Sequence, residues 1–162
     1  NVLVVAQPGL NIGSDRYQTV EGMGGDGYVG YFGFPAPSIN SAGRYNWDKR
    51  SWYGDMFTTN YLTTMNAWRE IRKAINNDED PRFSMAQILK VAAMHRVTDT
   101  YGPIPYLNFG VSKEVPYDSQ KDVYYTFFEE LDGAINNLDS YAASGSKVLS
   151  SWDCVFLSLI HI

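Results

Sequence analysis

The stretch Asn46-Trp47-Asp48-Lys49-Arg50-Ser51-Trp52-Tyr53 interleaves flat rings with an amide, a carboxylate and a guanidinium. A ring offers an apolar face to the C–H side of a pyranose, and polar groups at the ring's rim can meet the sugar hydroxyls. The mixture is therefore that of a non-covalent saccharide site. Trp47, Trp52 and Tyr53 are the candidate stacking rings, and Asn46, Asp48 and Arg50 the candidate hydrogen-bonding groups. Tyr28, Tyr31, Phe32, Phe34 and Tyr45 extend the same chemistry upstream. The competing reading is structural, with the rings packed against helices to pin a long loop in place.

Other chemistries fit less well. Gly22-Met23-Gly24-Gly25-Asp26-Gly27 matches the G-x-G-x-x-G pattern that cradles a pyrophosphate. That function needs a strand before the glycines and a helix after them. Tyr28-Val29-Gly30-Tyr31-Phe32-Gly33-Phe34-Pro35 cannot supply the helix, so a turn-rich loop is expected. Glycoside hydrolysis requires two carboxyl groups facing each other across a cleft. Glu129, Glu130 and Asp132 read instead as a solvated helix face, and Asp78, Glu79 and Asp80 as a turn between helices. His95 and His161 have no metal-ligand spacing around them. The chain reads as a binding protein, not an enzyme, with no metal and no cofactor. A net charge of −5 without a basic stripe excludes a nucleic-acid partner, because phosphate binding needs clustered Lys and Arg.

The elements that must position these groups are helical. From Phe57 the residues Phe57, Tyr61, Met65, Trp68, Ile71 and Ile75 share one side, and Asn76-Asn77-Asp78-Glu79-Asp80-Pro81 stops that helix. Ser84 and Gln87 have the spacing of a capping box for a second helix, whose apolar side is Met85, Ile88, Leu89, Ala92, Ala93 and Val97. Gly102, Pro103 and Pro105 end it. Ser119 caps a third helix, with Asp122 at the positive end of its dipole and a stripe of Val123, Phe127, Leu131, Ile135 and Leu138. The two serines lie 35 residues apart, near the tetratricopeptide period, and helix pairs at that spacing stack because neither buries its face alone. Tyr101 and Tyr106 are expected to close the connecting loop by packing and hydroxyl hydrogen bonds.

The string Lys90-Val91-Ala92-Ala93-Met94-His95-Arg96-Val97-Thr98-Asp99-Thr100-Tyr101-Gly102-Pro103-Ile104-Pro105-Tyr106 resembles the SusD/RagB family of glycan-binding outer-membrane lipoproteins. So do Val115-Pro116-Tyr117-Asp118-Ser119-Gln120 and the run from Tyr124 to Leu138, with its Leu131-Asp132-Gly133-Ala134-Ile135-Asn136-Asn137-Leu138 pattern. Gly133 is a mild departure there, costing about 1 kcal/mol relative to alanine in a helix. The resemblance implies a mainly α fold of tetratricopeptide-like (α-solenoid) helix pairs with long ordered aromatic loops. It also implies residence on the outer face of the outer membrane of a Gram-negative bacterium, held by a lipid anchor on a cysteine upstream of Asn1. There such proteins capture oligosaccharides or polysaccharides without breaking a bond and deliver them to a SusC-type TonB-dependent transporter. Two alternatives remain: a helical module that contacts the transporter alone, and a peptide cargo in place of a glycan. A hydrolase fragment is a third, carried by no carboxylate pair.

Residues 1–156 read as a single partial SusD-like domain, loop-rich and aromatic over 1–56 and helical over 57–156. The family pattern does not continue through 157–162, which are expected to be a non-native tail. The sole cysteine, Cys154, can form no internal disulfide. No run of 18 apolar residues spans a bilayer. At 162 residues the chain is long enough for one buried core, while 15% aromatic residues exceed what such a core readily hides.

Overall fold

The computed structural model describes residues 52–146, with backbone alone for 52–55. The chain divides into two units, Ile12–Leu62 and Asn1–Asn11 with Thr63–Ile162. The described elements are α1 (Trp52–Thr59), a π-helical stretch (Asn60–Met65), α2 (Asn66–Ile75), α3 (Pro81–Tyr101) and α4 (Gln120–Ala143). Among the described residues these helices are accompanied by no strand, only an isolated antiparallel bridge between Ile104 and Asp118. None of the described helices is long and apolar enough to cross a membrane. The mainly α, tetratricopeptide-like expectation agrees with this architecture.

In the first unit, α1 begins at Trp52, five residues before the helix read from Phe57. Gly54 looked like a loop residue, but a lone glycine costs a helix only about 1 kcal/mol. The periodicity also gave no sign of the π stretch. Asn60 is fully buried, and its Nδ2 donates to the carbonyl of Met56 at 2.7 Å. That carbonyl is the acceptor an α-helical N–H of Asn60 would use, so the side chain competes with the ladder where it widens to the π form.

In the second unit, α2 ends at Asn76, whose left-handed backbone (φ 47°, ψ 34°) sends its N–H to the carbonyl of Arg72 at 2.9 Å. Asparagine tolerates that conformation better than most residues. The cap of α3 is Asp80, not the Ser84–Gln87 box. Its Oδ1 accepts the backbone N–H of Arg82 at 2.8 Å, and Pro81 occupies the first helical position, where a missing N–H costs nothing. The Arg82 guanidinium reaches back to both Asp80 oxygens, and this hydrogen bonding holds the Asp80 carboxyl below the usual range. Ser84 and Gln87 are buried inside the first turns of the helix instead. The cap-to-cap interval is accordingly longer than the two serines suggested.

At the other end, the N–H of Gly102 bonds to the carbonyl of Thr98 at 2.7 Å, and the Thr98 hydroxyl donates to the Gly102 carbonyl at 2.7 Å. Gly102 has φ 74° and ψ −120°, a conformation that only glycine adopts readily. The loop returns through Asp118, whose Oδ2 accepts the N–H groups of Tyr106 and Leu107, each at 2.8 Å. Ser119 caps α4 as expected, accepting from the N–H of Asp122.

Cross-links between α3 and α4 pair Ser84 with Asn137, Lys90 with Glu130, and Thr98 with Gln120. One index rises as the other falls, so the helices are antiparallel. α3 packs on α4 and on α2, which makes its buried face wider than a single stripe. Phe83, Met85, Ala86, Val91, Ala93, Met94 and Val97 are all buried, whereas Ala92, read as apolar side, is exposed. On α4 the buried set is Val123, Phe127 and Ala134; Ile135, assigned to the stripe, is 50% exposed. Tyr106 is buried and lies edge-on to Phe127 at 5.0 Å, so it closes the loop by packing as its sequence context predicted.

Candidate functional site

The polar heart of the second unit is a knot of five side chains. Trp68 is carried on the buried side of α2 beside Ile71, and its Nε1 donates to Oε1 of Gln87 at 2.7 Å. One turn beyond Gln87, α3 places Lys90 with only 2% of its side chain exposed. Its Nζ lies 4.0 Å from the Trp68 ring centre, 4.6 Å from that of Tyr106, and 2.7 Å from Glu130 Oε1. The Tyr106 hydroxyl donates to the other oxygen, Glu130 Oε2, at 2.5 Å. Two ring faces and a carboxylate thus stand in for the water an ammonium group loses on burial. Burial still dominates: it pulls the Lys90 pKa down to about 8, against the attraction and hydrogen bond of Glu130, with Arg72 adding a smaller push in the same direction.

This overturns the solvated-face reading of Glu130. The residue turns inward because its helix position faces Lys90, and both its oxygens are engaged.

Beside the knot is a cavity of about 370 Å³ between α2, α3 and α4. Trp68 and Phe83, 6.2 Å apart between ring centres, provide its apolar surface. The polar lining comes from Gln87 on α3, from Glu129, Glu130 and Asn137 on α4, and from Asp78 and Glu79 in the α2–α3 turn. Arg72 lies over the Trp68 ring at 5.5 Å and within 3.6 Å of an Asp78 oxygen. Asn137 donates through Nδ2 to the Asp78 carbonyl at 3.0 Å and to Ser84 Oγ at 3.3 Å, tying α4 to the turn and to α3.

A second cluster joins the far ends of the same helices. The Tyr124 hydroxyl donates to Asp99 Oδ1 at 2.6 Å, and Gln120 Nε2 donates to the Thr98 carbonyl at 3.1 Å. The hydrogen bond to Asp99 is the main reason the Tyr124 hydroxyl is pushed up to about 12. On the outside of the unit, Tyr117, Tyr125 and Phe128 are each more than half exposed, and Tyr125 and Phe128 meet edge to face.

Of the saccharide candidates, Asn46, Trp47, Asp48 and Arg50 lie outside the described residues, as do the rings from Tyr28 to Tyr45 and the glycine pattern at 22–27. Trp52 and Tyr53 fall in the first turn of α1, with their side chains outside the description. The residues the sequence reading missed are Gln87, Lys90 and Glu130. The available signal was a lysine and a glutamine within the otherwise apolar run from Met85 to Met94, which on a helix packed from two sides demands buried partners.

The family model for SusD-like proteins, described as Susd and RagB outer membrane lipoprotein, matches residues 1–161. No curated protein matches the sequence. Among solved structures, a chitin-binding SusD homolog from Flavobacterium johnsoniae is similar with a TM-score of 0.78 and 29% identity, over 94% of this chain and 34% of that one. A SusD homolog from Bacteroides vulgatus ATCC 8482 has a TM-score of 0.73 and 29% identity, over 85% of this chain and 28% of that one. The chain thus spans about a third of the length of these structures. With a match running almost end to end and the helix-loop-helix of α3 and α4 standing where the quoted strings placed it, the chain belongs to the SusD-like family of outer-membrane lipoproteins.

Proposed function

We propose that this protein captures saccharides at the cell surface without chemistry and passes them to a SusC-type TonB-dependent transporter. The observation that carries the reading is family membership over residues 1–161, joined to structural likeness to a homolog that binds chitin. The ring-rich segment supports it: Trp47, Trp52 and Tyr53 would stack on the pyranose faces while Asn46, Asp48 and Arg50 hydrogen-bond the rim. An N-terminal lipid anchor would hold the protein at the membrane. Titration of the intact protein with chito-oligosaccharides, malto-oligosaccharides and a peptide library tests the cargo class. Trp47→Ala with Trp52→Ala should weaken saccharide binding about tenfold or more at unchanged melting temperature. Binding that survives both substitutions would move the sugar away from these rings, and peptide binding in its place would replace the cargo.

A second reading is favoured by the exposed rings of α4. Tyr125 and Phe128, both more than half exposed and edge to face, form an apolar outer surface suited to a protein partner. Under that reading these helices contact the transporter alone. Tyr125→Ser with Phe128→Ser would then reduce co-purification with the transporter and leave saccharide titrations unchanged.

A further inference from the structure

We propose that Asn60 is a positioning residue for the saccharide site of the 46–53 segment: its buried amide holds the π turn that fixes the helical phase of α1, and with it of positions 52 and 53. This rests on the reading of the protein as a saccharide binder. α1, the π stretch and α2 follow one another without a break from Trp52 to Ile75. A π turn closes its hydrogen bonds from i to i+5, so it takes up one residue more than an α turn. Whatever precedes it is therefore turned by about 100° from where an unbroken α-helix of the same sequence would put it.

The burial pattern records that slip. Met56 and Met65 are 7% and 1% exposed, although an unbroken α-helix would set them about 180° apart. With one residue taken up between them the separation falls to about 80°, close enough for both to be buried.

The slip accounts for a buried side but not for an amide within it. Asn60 is fully buried; its Nδ2 donates to the Met56 carbonyl at 2.7 Å, while its Oδ1 is buried without a hydrogen-bond partner. An apolar side chain of similar size would carry no such cost. What only the amide supplies is the bond to the Met56 carbonyl, which occupies the acceptor of the α form and keeps the ladder from closing to it. The cost is retained where the phase of the helix matters. Trp52 and Tyr53, two of the three candidate stacking residues, lie on α1 about two turns upstream of Asn60. Stacking on a pyranose depends on the direction a ring faces, and a rotation of about 100° would carry both positions away from the segment they share with Trp47.

The test is calorimetric titration of the intact protein with chito- and malto-oligosaccharides, read beside the melting temperature. Asn60→Leu fills the same space without the bond, lets the helix close to the α form and should weaken binding about tenfold. Asn60→Leu with Leu62 deleted has one residue fewer, so a plain α-helix returns positions 52 and 53 to their original phase, and binding should recover to within about twofold. Leu62 is 64% exposed, so its deletion removes no buried side chain. A merely structural Asn60 would give the opposite order, with the deletion adding to the damage. Should Asn60→Leu fail to fold, the shortened variant decides: binding like that of the unsubstituted protein supports the proposal, and failure to fold or to bind overturns it. Undiminished binding by a folded Asn60→Leu also overturns it and leaves the general reading standing. No saccharide binding by the unsubstituted protein overturns both.

Discussion

Lys90 shows how much a single buried charge determines here. Its amine has one carboxylate partner and two ring faces, and little water. Removing one member of a buried pair strands the other, which costs more than the pair is worth intact. Glu130 is 20% exposed, which softens the penalty, so Lys90→Met should destabilise by about 2–3 kcal/mol in denaturant titrations. Adding Glu130→Gln should recover more than half of that loss, because the stranded charge is gone. A double variant no better than the single would show that the rings, not the carboxylate, hold the lysine. The sequence did not disclose this arrangement. Periodicity sorts residues by type and places Lys90 on a helix, but its partner lies 40 residues away on another helix.

At the scale of elements, sequence reasoning recovered the helices because each is bounded by strong local chemistry. Gly102 with two nearby prolines ends α3, and Ser119 opens α4. It misplaced the start of α3 because two capping patterns overlap there. Asp80 with Pro81 competes with Ser84 and Gln87, and the earlier cap wins since it also engages Arg82 and frees Ser84 and Gln87 for burial. It misjudged α4 because Ala134, small enough for close approach, is buried where the larger Ile135 was expected. The π stretch at Asn60–Met65 follows from a side-chain bond, which no hydrophobic pattern encodes. The end of α3 is the most constrained of these junctions. Gly102→Ala introduces a Cβ that clashes with nothing, so its cost is backbone strain alone, about 1–2 kcal/mol. A reduced denaturation midpoint at unchanged slope would register it; an unchanged midpoint would mean that the turn relaxes.

Across the whole molecule, the family was legible from the strings at Lys90–Tyr106 and Tyr124–Leu138, since their order is dictated by helix ends and a loop that must fit together. The cavity was not legible, for it is assembled from three helices and a turn whose residues are scattered from Trp68 to Asn137. The summed titration behaviour is also a property of the whole. The lowered pKa of Lys90, about 8 against an ordinary 10.5, means that between those values the unfolded chain holds a proton the folded one has released. Stability contributed by this group therefore rises with pH through that window. Tyr124 acts oppositely: its hydroxyl, raised from 10.0 to about 12, keeps its proton in the folded state while the unfolded chain loses it, so stability falls from pH 10 upward. Denaturant midpoints measured from pH 7 to 11 should climb above pH 8 and flatten or turn near pH 10. A steady fall from pH 8 would contradict the Lys90 assignment.

The grip of Asp118 on the α3–α4 connection has a consequence for how this region opens. One carboxylate oxygen holds the amide protons of Tyr106 and Leu107, and the Ile104–Asp118 bridge holds two more. Leu107 is 48% exposed, yet its amide is closed to solvent-driven exchange until that carboxylate lets go. In deuterium uptake the connection should therefore behave like the helices it joins, with Ile104, Tyr106 and Leu107 exchanging late and together. In Asp118→Ala those amides should label early while the centre of α3 stays protected, which would mark the hairpin of α3 and α4 as a single cooperative unit latched at its bend.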